Sequence, residues 1–113
     1  MKKIEAIIRP EVFADLREAL EAEGFDGLTI SEVAGAGRQE GRTALFRGNS
    51  YEMEFSQKLK LEMIVDNNKV QPIVDVILAN ASTGQVGDGK IFIYPVEQAI
   101  RIRTKEVGSV AID

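Results

Sequence analysis

The chain of 113 residues contains no cysteine and no histidine. The first absence removes a disulfide framework and any thiolate metal site; the second removes the commonest general base and the commonest zinc ligand. Most familiar enzyme constellations are thereby excluded. Long apolar runs are missing too: Lys2 and Lys3 precede only the short stretch Ile4–Ile8, which suits neither a signal sequence nor a membrane span. A cytoplasmic protein without direct membrane insertion is the expectation. Positive charge is in deficit, with 14 Lys and Arg against 18 Asp and Glu and a formal net charge of −4. That balance argues against broad binding to nucleic acid or anionic membranes, so any anion site must be concentrated in a few residues.

What is present suffices for one domain. At this length, with 44% hydrophobic residues, a chain buries roughly two-thirds of its unfolded surface and has no material for a second core. "KIEAIIR" reads as a first strand ending just before Pro10. The period then changes: Val12, Phe13, Leu16, Ala19 and Leu20 recur at helical spacing between Pro10 and Gly24. "LTISEVAG" is a second strand. Residues 58–65, "KLKLEMIV", alternate almost perfectly and are the clearest strand in the chain. Val70, Ile73, Val74, Ile77, Leu78 and Ala81 form a second helical stripe, with Pro72 tolerable in the first turn. "KIFIYPV" is a fourth strand, and "IRIRT" is expected to be a short extended piece.

The order β, α, β, long tract, β, α, β predicts an α+β, ferredoxin-like split βαβ sandwich (βαββαβ) with helices on one sheet face. On strand three, Leu59, Leu61, Met63 and Val65 would face the helices, leaving Lys58, Lys60, Glu62 and Ile64 uncovered. Such a face is either solvated or packed in a symmetric oligomer. The tract from Gly35 to Gln57 is long for a connection in so small a domain. It is either a β-hairpin, with "TALF" and "YEMEF" extended about a turn at 47–50, or an arm that touches something else, hinged at Gly35, Gly37 and Gly41.

"STGQVGDGK", residues 82–90, is glycine-rich and ends in lysine. It is not a Walker A motif: the spacing differs, no Ser or Thr follows Lys90, and it leads from a helix into a strand. Glycines still let backbone N–H groups approach an anion, and Lys90 adds a charge. In an extended "IRIRT", Arg101 and Arg103 would project from one side as a fork suited to phosphates. Neither signal is specific alone; they coincide in an otherwise acidic chain.

"MKKIEAIIRP", "GRQ", "RG" ahead of Tyr51, "KLKLE", "TGQVGDGKIF" and "IRIRT" resemble, in order and without a gap, the PII family of nitrogen-regulatory signal proteins. The resemblance covers residues 1–107. It implies a homotrimer of ferredoxin-like subunits with a T-loop at 37–55, a B-loop at 82–90 and a C-terminal loop at 102–113. ATP or ADP would sit between subunits. Gly87, Asp88, Gly89 and Lys90 match the family's phosphate-binding loop, and Arg101 and Arg103 would reach the phosphates from the neighbouring subunit. Thr29, Gly37, Arg38 and Gln39 match positions lining the same cleft, with Ile64 near the adenine. With magnesium–ATP, Gln39 would help complete the metal shell and Lys58 would pair with a carboxylate of 2-oxoglutarate. Tyr51 matches a tyrosine that some members uridylylate and many carry unmodified.

By the same resemblance, the T-loop would contact a target such as a membrane transporter component, an enzyme or a regulator. A transporter would recruit the protein to the inner face of the membrane. The chain departs from the family pattern at Ala36, Glu40, Ser50 and Ser56-Gln57, where an aromatic residue, a lysine, an acidic residue and a Leu-Pro pair are frequent. These changes leave the phosphate ligands untouched and alter charge and stiffness around the second ligand. The alternative is therefore an adenylate-only energy sensor that ignores 2-oxoglutarate and controls another target. An RNA-binding ferredoxin-like domain would need paired aromatics on its central strands, which "KLKLEMIV" lacks. A nucleotide hydrolase would have to use a carboxylate such as Glu62 or Asp88 as base.

Overall fold

The computed structural model describes residues 1–40 and 51–112, with the backbone alone for 37–40 and 51–54. Four strands, β1 (Lys2–Ile8), β2 (Thr29–Glu40), β3 (Tyr51–Val65) and β4 (Lys90–Pro95), form one antiparallel sheet in the order β2-β3-β1-β4. Two helices, α1 (Phe13–Ala22) and α2 (Val70–Ala81), complete the expected ferredoxin-like α+β sandwich.

Both helices begin where their prolines permit. Pro10 opens the 3-10 turn Pro10–Val12 that leads into α1, and Pro72 is the third residue of α2, where its missing N–H costs no intrahelical bond. At the end of α1 the Phe25 N–H bonds to the Leu20 carbonyl (2.8 Å) and the Gly24 N–H to the Glu21 carbonyl (2.9 Å). This double closure satisfies carbonyls that the helix leaves orphaned, and returns Phe25 to the core. The core follows the two periodicities. Ile4, Ala6 and Ile8 of β1 and Leu61, Met63 and Val65 of β3 meet Leu16 and Leu20 of α1 and Ile73, Ile77 and Ala81 of α2. Each large side chain so buried stabilises the fold by about 1.5–3 kcal/mol.

Strands β2 and β3 run further than the alternation at 28–35 and 58–65 indicates. They pair in a single register from Thr29↔Glu62 to Glu40↔Tyr51, so Gly35 and Gly37 lie opposite Ser56 and Glu54 within a continuous ladder. The base of the tract is thus a paired ribbon where the glycines suggested a hinge. Backbone groups find ladder partners whether or not the residue has a side chain. "TALF" and the turn at 47–50 lie outside the described residues.

A second correction concerns "IRIRT". Ile100 bridges Val107, the Arg101 N–H bonds to the Glu106 carbonyl (2.9 Å), and the Lys105 N–H returns to the Arg101 carbonyl (2.8 Å). The segment is a closed turn, so the extended fork of Arg101 and Arg103 is absent. Alternating Ile and Arg mimic a strand, but an extended backbone needs a partner, and here the turn supplies it internally.

The helix-free face of the sheet carries Lys3, Glu5, Lys60, Glu62 and Ile64, flanked by Phe92 and Tyr94 of β4. Lys3 Nζ lies 3.2 Å from Glu62 and 3.6 Å from Glu5, and 4.6 Å from the centre of the Tyr94 ring. Lys60 reaches Glu62 at 3.9 Å, and the Tyr94 hydroxyl donates to Glu5 at 3.2 Å. The hydrogen bond to Glu62 raises the Lys3 pKa, whereas burial, followed by the bond to Glu5, raises that of Tyr94. Glu5 and Glu62 stand directly opposite each other, and Lys3 bridges the two carboxylates, which offsets the repulsion of like charges in a half-buried layer.

Candidate functional site

The candidate residues gather at opposite ends of the helix-free face. At one end the loop 82–89 joins α2 to β4, and strand pairing brings two cations beside it: Ile7↔Lys90 places Arg9 near the loop, and Ile8↔Leu59 places Lys58 there. Asp88 is the loop's internal anchor. Its Oδ1 accepts from Arg9 Nε (3.1 Å) and from the Thr83 hydroxyl; its Oδ2 accepts from the backbone N–H groups of Thr83 (2.7 Å) and Gly84 (2.9 Å). These bonds, led by that from the Thr83 hydroxyl, hold the Asp88 carboxyl far below the usual carboxylate range.

Two further contacts complete this end. Arg9 Nη2 donates to the Val86 carbonyl (2.7 Å), and Lys58 Nζ donates to the Gly87 carbonyl. The loop also presses directly on β1. At Gly89, φ is 103° and a Cβ would stand 1.7 Å from the Ile7 carbonyl oxygen, so only glycine fits. Lys90 follows, exposed, as the first residue of β4. Three cations, Arg9, Lys58 and Lys90, therefore surround a loop whose carboxylate is already satisfied. That balance suits an anion. Beyond Lys58, which is in register with Val33, the paired ribbon continues through Gly37, Arg38 and Gln39, and Tyr51 pairs with Glu40 further out.

At the other end, Thr29 and Ile64 line an open cavity of about 450 Å³ with Lys3, Gly27, Leu28, Glu62 and Ile112. The C-terminal turn is seated beside it. Ser109 Oγ donates to Asp66 (2.9 Å), while Arg101 donates to the Val110 carbonyl (2.6 Å) and to Glu106 (2.7 Å). Arg103 is exposed on this turn. Glu62 and Lys58 mark the two ends and stand four residues apart on β3, about 13 Å at ~3.3 Å per residue. The chain thus brings Gly87, Asp88, Gly89, Lys90 and Lys58 together and, separately, Thr29, Ile64 and the turn carrying Arg101 and Arg103.

Arg9 and Thr83 escape a reading of the sequence. Arg9 reads as the last residue of a strand, and its partner is 79 positions away; only the β1–β4 adjacency of a ferredoxin-like sheet points to it. Thr83, five positions before Asp88, carries the weak local signal of a hydroxyl closing a loop. Both candidate bases are occupied. Asp88 has all four acceptor positions filled, and Glu62 is paired with Lys3 and Lys60. Among the described residues there is no cluster of three or more acidic residues that could hold a metal ion, and no helix is long and apolar enough to cross a membrane.

Comparison with known proteins bears on the family and the fold. The family model described as nitrogen regulatory protein P-II matches residues 1–106. The nitrogen regulatory protein P-II of Nostoc punctiforme is 55% identical over 112 residues, which cover 99% of this chain and 100% of that protein. Nitrogen regulatory protein P-II 1 of Escherichia coli is 49% identical over the same coverage. Among solved structures, Arabidopsis thaliana PII bound to citrate superposes with a TM-score of 0.77 at 35% identity, covering 99% of this chain and 89% of that one. With a family match over nearly its whole length and half of its residues shared with named nitrogen regulators, the chain belongs to the P-II nitrogen regulatory protein family.

Proposed function

We propose that this chain is a signal protein that assembles as a homotrimer, binds ATP or ADP competitively in the clefts between subunits, and passes that state to a target through residues 37–55. The observation that carries the reading is the division of the site. Thr29 and Ile64 lie at one end of the helix-free face and Gly87–Lys90 at the other, so the Thr29 end of one chain packed beside the Gly87–Lys90 end of a neighbour would enclose a ligand that one open face leaves exposed. Neighbours packed on that face would also cover its half-buried Lys3, Glu5, Lys60 and Glu62, whose mutual pairing makes desolvation tolerable. The likeness to a PII bound to citrate supports small-anion binding. Glycines and Lys90 would receive phosphate oxygens, with Arg101 and Arg103 supplied by the neighbour. Magnesium would enter with ATP near Gln39. The relatives are named as regulatory proteins.

Light scattering should give three times the monomer mass of 12.4 kDa, and calorimetry should show ATP displaced by ADP. In Arg103→Ala the loss of a charge-assisted contact, about 1.5–3 kcal/mol, should weaken binding ten- to a hundredfold. A monomer, or unchanged affinity in that variant, overturns the reading.

The adenylate-only alternative differs at Lys58, whose ammonium donates to the Gly87 carbonyl and keeps two further N–H donors for a carboxylate. Titration of 2-oxoglutarate into protein saturated with magnesium–ATP separates the two readings, with Lys58→Ala as control. Heat at millimolar ligand that vanishes in the control assigns the second effector to Lys58, and no heat assigns an adenylate sensor.

A further inference from the structure

We infer that Thr83 and Arg9 are positioning residues for the nucleotide's phosphates: they act through Asp88, whose carboxylate shapes loop 82–89 from within and touches no ligand itself. The inference deepens the nucleotide reading and rests on it.

The argument is a count of lone pairs. A carboxylate offers about four acceptor positions. Here all four are taken, on Oδ1 by Arg9 Nε and the Thr83 hydroxyl, and on Oδ2 by the Thr83 and Gly84 N–H groups. No position is left for a metal ion or for a proton drawn from water. The Thr83 hydroxyl has a second task, because its oxygen accepts the Gln85 N–H (3.2 Å) as it donates to Asp88. Arg9 likewise divides its guanidinium between Asp88 and the Val86 carbonyl (2.7 Å). Five polar groups on residues 83–86 are thus fixed from inside the loop: the Thr83 N–H and hydroxyl, the Gly84 and Gln85 N–H groups, and the Val86 carbonyl. The following residues, Gly87 and Gly89, are left with φ of 101° and 103°. A loop preset in this way has little to rearrange when an anion arrives, and preorganisation of that kind raises affinity without adding a contact to the ligand.

Thr83 is the discriminating probe because replacing it with the near-isosteric valine changes no charge. Arg9 variants would also remove a cation near the phosphates, and so cannot separate positioning from simple attraction. The test measures ATP and AMP affinity by calorimetry for the wild type, Thr83→Val and Thr83→Ser, with amide exchange across 83–86 in each ligand-free protein. Thr83→Val should bind ATP about tenfold more weakly, the fold-change expected on losing one hydrogen bond to a charged group. AMP affinity should change less than threefold, Thr83→Ser should restore ATP binding, and amides 84 and 85 should exchange faster only in the valine variant. Unaltered ATP affinity with unaltered exchange in Thr83→Val overturns the inference, as does an equal loss for ATP and AMP. A wild type that binds neither nucleotide defeats the functional reading instead, while faster exchange in Thr83→Val would still establish the clamp. Should the valine variant not assemble, Asp88→Ala, which removes both acceptor oxygens, replaces it in the same exchange measurement; unchanged exchange at 83 and 84 there is a refutation.

Discussion

The loop ahead of β4 and the turn behind it each hold an arginine on a carboxylate, yet Arg9 reaches Asp88 across 79 positions of sequence whereas Arg101 reaches Glu106 across five. The first pair exists because β1 and β4 are neighbours in the sheet; the second needs only its own turn. Their settings differ accordingly. Loop 82–89 is pressed against β1 at Gly89, while the C-terminal turn at Gly108 stands clear of any heavy atom within 4 Å of a hypothetical Cβ. One end of the candidate site is therefore an extension of the sheet, and the other is a locally closed piece seated on it through Ser109 and Asp66.

The largest test of this contrast is a pair of glycine substitutions. Gly89→Ala adds both a left-handed alanine and a collision with the Ile7 carbonyl oxygen, so stability should fall by about 3 kcal/mol, as strain and overpacking combine. Gly108→Ala has a comparable φ of 88° with open space around it, and should cost only about 1 kcal/mol. Urea midpoints at one fixed protein concentration compare them, and equal losses would mean that the two segments are braced alike. A smaller effect is expected for Arg101→Gln. It breaks a local pair in which Glu106 is 42% exposed, typically worth about 0.5 kcal/mol, and a loss beyond about 2 kcal/mol in the same assay would make the C-terminal turn part of the core fold.

The smallest signal is a titration. Because the folded Asp88 pKa is depressed, its contribution to stability is complete above the unfolded value of 3.8 and is lost as pH falls through the folded value below it. Amide resonances of Thr83 and Gly84 should stay still from pH 6 to 4 and move only in stronger acid. A midpoint near 4 would show that the clamp is open in solution.

Much of this fold was legible because periodicity and burial agree. The alternation of Leu59, Leu61, Met63 and Val65 and the stripe of Ile73, Ile77 and Ala81 name the core face directly, and Pro10 and Gly24 bracket the first helix. Two regions misled for identifiable reasons. Arg101 and Arg103 alternate with isoleucines as a strand would, yet their segment closes on itself through the Ile100–Val107 bridge. Gly35 and Gly37 read as hinges, yet backbone pairing with β3 is indifferent to the missing side chains. At the site, Gly87–Lys90 stood out by composition, whereas Arg9 and Thr83 did not, because nothing local marks a residue whose role is to hold another.

By itself the amino-acid sequence determined which residues are apolar at which period, and hence two helices, four strands and one buried face. It also determined the absence of histidine and cysteine chemistry and the concentration of glycine at 84–89. Only the tertiary structure decided that Arg9 and Lys58 are set against the loop and that Asp88 turns inward. It alone decided that Thr29 and Ile64 stand at the opposite end of the sheet. The physical reason is that periodicity is a property of neighbours in the chain, while a carboxylate's partners are chosen by whichever strands the whole core brings side by side.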